Sequence, residues 1–201
     1  MYIVSTDYTA SGRMRQKQRT RDQLVAAARD LIATGSTPRV EEAAEAAGIS
    51  RTTAYRYFAS RAELLVAAYP ETGAASALPD PAPADVEERV AAVADFVIDR
   101  VRVAEPQQRS MLRLSLDGRP HELPLRQGRA IAWFEEALAP LAGSISDDGV
   151  HRLALALRAA CGIETRVWLT DVAGLEPADV DGLQRWMVDA LVRQAVASPP
   201  A

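Results

Sequence analysis

The sequence predicts an all-α protein, with an N-terminal three-helix head followed by a larger helical C-terminal domain. Three observations carry this. Apolar residues recur at i, i+3, i+4 and i+7, the spacing of one buried helical stripe. No segment shows the period-two alternation of a half-buried strand. Residues 48 to 58, Gly-Ile-Ser-Arg-Thr-Thr-Ala-Tyr-Arg-Tyr-Phe, place a turn glycine and a capping serine between an alanine-rich helix and a helix with a polar outer arc.

Residues 1–17 read as a flexible basic arm, and residues 13–21 hold five basic side chains and no acidic one. Thr20 with Gln23 is spaced as a capping box, which starts a first helix whose apolar face runs through Leu24, Ala28, Leu31 and Ile32 to Gly35. Thr37 followed by Pro38 predicts the N-cap and first position of a second helix, with Val40, Ala43, Ala44 and Ala47 as its stripe. Three of those four are alanines, so a third helix can approach closely. Gly48 supplies the left-handed backbone that ends the second helix, Ile49 fills the corner, and Ser50 caps the third. In that third helix Ala54 and Phe58 face inward, leaving Thr52, Thr53, Tyr55 and Arg56 outside and Arg51 at the N-terminal tip. Ser60 with Glu63 starts a fourth helix through Leu64, Leu65 and Ala68. The head therefore covers 18–69, with the helix-turn-helix at about 39–58.

An outer arc of this composition suits DNA. A guanidinium reaches guanine or phosphate, threonine offers a hydroxyl and a methyl, and a tyrosine hydroxyl pairs with phosphate. The N-terminal residues of the second helix of such a motif meet base edges, so Arg51 and Thr52 are the expected readers. A basic arm can follow phosphates or enter the minor groove. The competing reading is a polar helical hairpin inside an ordinary bundle.

Leu24 to Gly35, Glu45 to Phe58 (Glu-Ala-Ala-Gly-Ile-Ser-Arg-Thr-Thr-Ala-Tyr-Arg-Tyr-Phe) and Ser60 to Leu65 (Ser-Arg-Ala-Glu-Leu-Leu) together resemble the N-terminal head of the TetR family of bacterial transcriptional regulators, over about residues 18–69. The resemblance implies a dimeric, all-helical repressor whose C-terminal domain binds a small molecule and a twin subunit. It also implies base readers at Arg51, Thr52 and Tyr55 and phosphate contacts at Thr53, Tyr57 and Arg61; Arg56, Thr37 and Arg39 complete the expected DNA-binding set. Arg61 stands where the family most often has lysine, Ala43 where a larger aliphatic is common, and the Ser36–Arg39 connection is short. Glu41, Glu42 and Glu45 are expected to point away from the DNA backbone, since like charge against phosphate is costly.

Composition agrees once it is divided. The chain of 201 residues carries a net charge of −4, but residues 1–69 hold ten basic and seven acidic side chains, net +3, and the remainder 13 and 20, net −7. Basic charge is concentrated in the head. A single cysteine, Cys161, cannot form an intrachain disulfide and reads as a small buried hydrophobe. No signal peptide or long apolar span is visible, so a soluble, cytoplasmic protein is expected.

Prolines 70, 79, 81 and 83 mark a linker over 70–84. The domain expected over 85–197 begins with a helix near 84–104, striped by Val86, Val90, Val93, Phe96, Val97 and Val101, then a short helix from Pro106 to Leu116. Asp117 to Pro124 reads as a loop and Leu125 to Leu141 as a helix. In Gly149 to Ala173, Val150, Leu153, Leu157, Cys161 and Trp168 fall on one side, and Leu155, Ile163 and Leu169 on another; Asp179 to Ala197 shows Val180, Leu183, Met187 and Leu191 beside Val188, Val192 and Ala195. Two apolar faces need two partners, so these last two helices, about 149–173 and 179–197, are the expected homodimer contact. Residues 198–201 read as a tail.

For an effector pocket the candidates are Phe96, Trp133, Phe134 and Trp168, with the embedded polar residues Arg113, Arg158 and Glu164. No metal site is expected from His121 and His151, which lack clustered ligands, and no cofactor beyond an unknown small-molecule effector. No Gly-rich phosphate loop, nucleophile elbow or metal-spaced set argues for an enzyme. The expected function is a sequence-specific DNA-binding repressor released from a palindromic operator by a small molecule. The alternative is an effector-independent DNA-organising or protein-interaction module on the same fold.

Overall fold

The computed structural model describes residues 6–68, 74–117 and 129–198. Most of the loop expected over Asp117 to Pro124, with His121 and the start of the following helix, lies outside these residues. Among the described residues the elements are helical, with no strand: α1 (Thr6–Ala33), α2 (Val40–Ala46), α3 (Arg51–Tyr55), α4 (Arg61–Ala68), α5 (Val86–Val103), α6 (Glu105–Asp117), α7 (Arg129–Ala137), α8 (Asp147–Cys161), α9 (Ile163–Val167) and α10 (Pro177–Ala197). The chain divides into two units, Met1–Glu71 with Arg113–Leu125, and Thr72–Leu112 with Arg126–Ala201.

In the first unit α1 differs from expectation. The stretch read as an arm is helical from Thr6 onward, and Thr20 is no N-cap. Met, Gln, Lys and Arg are strong helix formers, and they fill residues 13–19. Gln18 donates to Asp22 one turn on (2.8 Å), and the Thr20 hydroxyl donates back to the Gln16 carbonyl (3.0 Å), as threonines inside helices do. Leu24, Val25, Ala28 and Ile32 are the buried face.

Helices α1 and α2 end alike. Gly35 (φ 83°) donates to the Ile32 carbonyl and Ser36 to that of Leu31; Gly48 (φ 65°) donates to Glu45 and Ile49 to Ala44. Each pair is a Schellman closure, which needs a left-handed residue that glycine adopts without strain. The start of α2 is corrected by two residues. Counted from Thr37, the third residue is Val40, which has no acceptor; counted from Arg39 it is Glu42, whose carboxylate takes the Arg39 N–H (2.7 Å) and holds the Arg39 guanidinium (3.2 Å). Arg39 is therefore the cap. Ala43, Ala44, Ala54, Phe58, Leu64, Leu65 and Ala68 close the head's core, and Arg29 on α1 donates to the Ala68 carbonyl at the end of α4 (2.9 Å).

In the second unit Asp85 caps α5 by accepting from Glu88 (3.0 Å). Val90, Val93, Ala94, Val97, Ile98 and Val101 are buried, whereas Val86 and Phe96 pack at the margin. Helix α7 runs only from Arg129 to Ala137, followed by a 3₁₀ turn at Ala139–Leu141. It packs against both α5 and α8, which is how the adjacent Trp133 and Phe134 are both buried. Arg89 on α5 donates to the carbonyls of Glu136 and Ala137, orphans at the C-terminal end of α7, and to that of Pro83.

The single helix expected over Gly149 to Ala173 is broken. Helix α8 stops at Cys161, Gly162 is extended (φ −75°, ψ 165°), and α9 runs into a wide π turn, Trp168–Val172. The break frees carbonyls that side chains then satisfy: fully buried Gln184 of α10 donates to Ala160 (3.0 Å) and Gly162 (3.4 Å), and the Thr165 hydroxyl donates to Ala159 (2.7 Å). The break also rotates the pattern. Ile163 and Leu169, expected on one face, are buried, while Leu155 of that same face is exposed; Trp168, expected on the face of buried Leu153, Leu157 and Cys161, is 57% exposed. Cys161 is buried as expected, and burial pushes its thiol up to about 12.

A buried ion network holds α9. Arg166, only 1% exposed, donates to Glu105 (2.7 Å) and Asp181 (2.5 Å), while Glu105 also accepts from Arg109 (2.8 Å). Arg109 forks onto both carboxylate oxygens of Asp171 (2.6 and 2.8 Å). Burial alone would raise the Glu105 carboxyl, but the hydrogen bonds from Arg166 and Arg109 outweigh it and hold the group below its ordinary value.

Candidate nucleic-acid interface

The candidate DNA-facing surface is built on α2, the Gly48 corner and α3. Ser50, in extended backbone, accepts the Thr53 N–H (3.2 Å) and its hydroxyl donates to the Thr53 hydroxyl (2.8 Å), fixing the first turn of α3. The helix is only five residues long, closed by tightened turns in which Arg56 and Tyr57 donate to Thr53 and Ala54. Ala54 and Phe58 are buried beneath it.

Outside, Arg51, Thr52, Tyr55, Arg56 and Arg39 are exposed, and Thr53, Tyr57, Arg61 and Thr37 are half-buried. Arg51 lies over the Tyr55 ring, 5.7 Å from its centre, one helical turn apart. Arg61 does not extend into solvent; its guanidinium donates to the Thr37 carbonyl, drawing two of the expected phosphate contacts together. Arg21 of α1 lies 5.3 Å from the Phe58 ring centre and covers the base of α3.

Sequence reasoning missed Glu41. Its carboxylate sits 3.0 Å from the Arg51 guanidinium. Its carboxyl is held below the ordinary value, first by its own backbone N–H, then by Tyr55, with the Arg51 charge adding to both. No spacing rule announces this contact, because Glu41 and Arg51 are joined through a corner rather than along one helix.

The residues expected around an effector pocket fall into separate places. Phe96 and Trp133 meet edge to face, centroids 5.3 Å apart. Arg158 pairs with Glu164 beside Gly162 (3.3 Å). Phe134 is core, Trp168 is exposed, and Arg113, counted with the first unit, donates to the Gly35 carbonyl (3.1 Å). A cleft of about 240 Å³ does lie between α5 and α10, with Ala91, Ala94, Val188 and Val192 among its lining and Asp95 and Arg185 at its edge, and none of those seven residues borders it.

Fold and surface together define a helix-turn-helix DNA-binding head. Residues 24–68, within the head, match the family model described as bacterial regulatory proteins, tetR family, a family of DNA-binding transcription regulators. No curated protein and no solved structure matches the chain. No described helix is long and apolar enough to cross a membrane.

Proposed function

We propose that the chain is a dimeric transcriptional repressor that binds a palindromic operator and is released from it by a small molecule held in the C-terminal helices. The observation that carries the DNA reading is α3 itself: Ala54 and Phe58 buried, Arg51, Thr52, Tyr55 and Arg56 exposed, and the helix capped so that its N-terminal end is presented. Arg51, Thr52 and Tyr55 read base edges; Thr53, Arg56, Tyr57, Arg61, Thr37 and Arg39 grip phosphates.

One five-residue helix reads too few bases for operator-level affinity, so two heads are needed, about 34 Å apart in successive major grooves. The large apolar side chains left exposed on the last helices support a twin subunit there: Leu155, Trp168, Val172, Trp186 and Val196. A ligand that releases the operator ~100-fold needs a preference of only about 2.8 kcal/mol between the two dimer states.

Duplex binding measured against salt tests the reading. Affinity should fall steeply and linearly on logarithmic axes; a flat response rejects DNA binding. Arg51→Ala should relax sequence preference, and Arg61→Ala should weaken binding to all duplexes alike. Thermal shift against a metabolite panel separates a ligand-released repressor from an effector-independent DNA module, since only a specific ligand raises the melting temperature.

A further inference from the structure

Glu41 stands in the first turn of α2, yet its carboxylate is spent on α3. It lies 3.0 Å from Arg51 Nη2, while Arg51 rests over the Tyr55 ring. Arg51 and Tyr55 are four residues apart and share a face of α3; the guanidinium is held between that ring and one carboxylate from the neighbouring helix. Arginine has several rotatable bonds, and a free guanidinium on a helix tip samples many directions. Reading guanine takes two N–H groups aimed in one plane, so the direction of the fork decides whether Arg51 discriminates or merely attracts. A carboxylate near a phosphate-facing surface is also repulsive, so its presence there needs a compensating use.

We propose that Glu41 is a specificity-determining positioning residue: it orients the Arg51 guanidinium for base reading and lowers the affinity of the head for duplex of any sequence. This rests on the assignment of Arg51 as a base reader. Glu45, exposed further along α2, carries the same charge without this placement and is the matched control.

The experiment selects bound duplexes from a random pool with the full chain, comparing wild type, Arg51→Ala, Glu41→Gln, Glu41→Asp and Glu45→Gln, each checked for unchanged melting temperature. Glu41→Gln should flatten preference at the base pair that Arg51→Ala flattens, by roughly 5- to 10-fold in discrimination, and leave the rest of the motif intact. Glu41→Asp withdraws the carboxylate by one methylene but keeps its charge; it should lose the same preference while its affinity for random duplex stays near wild type. Glu45→Gln should raise affinity for random duplex and change no base preference. Glu41→Gln and Glu41→Asp motifs identical to wild type overturn the proposal while leaving the DNA reading standing. A wild-type selection that yields no motif overturns both.

Discussion

The chain turns a corner after Gly48 and another at Gly162, and the two are made of different materials. At Gly48 everything is local: a left-handed glycine, two backbone hydrogen bonds, from Gly48 to Glu45 and from Ile49 to Ala44, and a serine that caps the next helix. At Gly162 the backbone is extended, with no left-handed residue, and its carbonyls are satisfied from α10 by Gln184 and from α9 by Thr165. Beyond that corner Arg166 is tied to Glu105 and Asp181, 61 and 15 residues away in the chain. A corner closed by its own neighbours is written in a short stretch of sequence. One closed by distant side chains is written across the whole domain.

The comparison breaks hardest at Arg166. Arg166→Met removes the cation between two carboxylates and should destabilise the chain in urea unfolding by up to about 3–5 kcal/mol, the range for removing one partner of a buried ion pair, while Arg109 still holds Glu105. Glu105 gives that effect a pH signature. Its folded-state value is depressed, so its contribution is complete above the ordinary carboxylate range and is lost as pH falls through the lower, folded value. Wild type should therefore lose stability on acidification below about pH 4.5 more steeply than Arg166→Met.

Gln184→Ala should be next, at about 1–3 kcal/mol, because it orphans the Ala160 and Gly162 carbonyls in a buried place. Gly48→Ala should cost about 1–2 kcal/mol, entirely from backbone conformation, since a Cβ there meets nothing within 4 Å. Gly162→Ala should be the mildest, below about 1 kcal/mol. Its φ is ordinary, and the atoms nearest an added Cβ are the ends of the flexible Arg158 and Glu164 side chains, which must move aside. Thermal melts of the two glycine variants check the order; equal losses would erase the distinction between the corners.

That distinction also explains what was legible. Most of the stripes of α2 and α5 (Val40, Ala43 and Ala44; Val90, Val93, Val97 and Val101), the Gly48 corner, the Ser50 cap and the inward pair Ala54 and Phe58 follow from rules that act within a turn or two, and the structure has them; Ala47, Val86 and Phe96, at the ends or edge of their stripes, are only half-buried. The early start of α1 was hidden because a basic run reads equally as a solvated tail or a solvated helix. The shifted cap of α2 needed Glu42 to be weighed against Val40 as an acceptor. The break at Gly162 was hidden because an isolated glycine in a helical pattern is usually tolerated, and the partners that stabilise it lie on another helix. Arg166 carries no local signal of its burial for the same reason, since the carboxylates that hold it lie on other helices. In the candidate interface the exposed residue types were visible, but the Glu41 contact to Arg51 and the turn of Arg61 toward Thr37 depend on how helices meet.

The alanines beneath the reading surface have a consequence for how such a head can change. Ala43, Ala44 and Ala54 seat α3 against α2 with almost no side-chain volume; Thr52 and Arg56 are exposed, and Arg51 reaches α2 only through its ion pair with Glu41. Scaffold and lettering are thus carried by separate residues. New outward side chains can be written on α3 without repacking anything below it, so divergence in what the head reads need not pass through unstable intermediates.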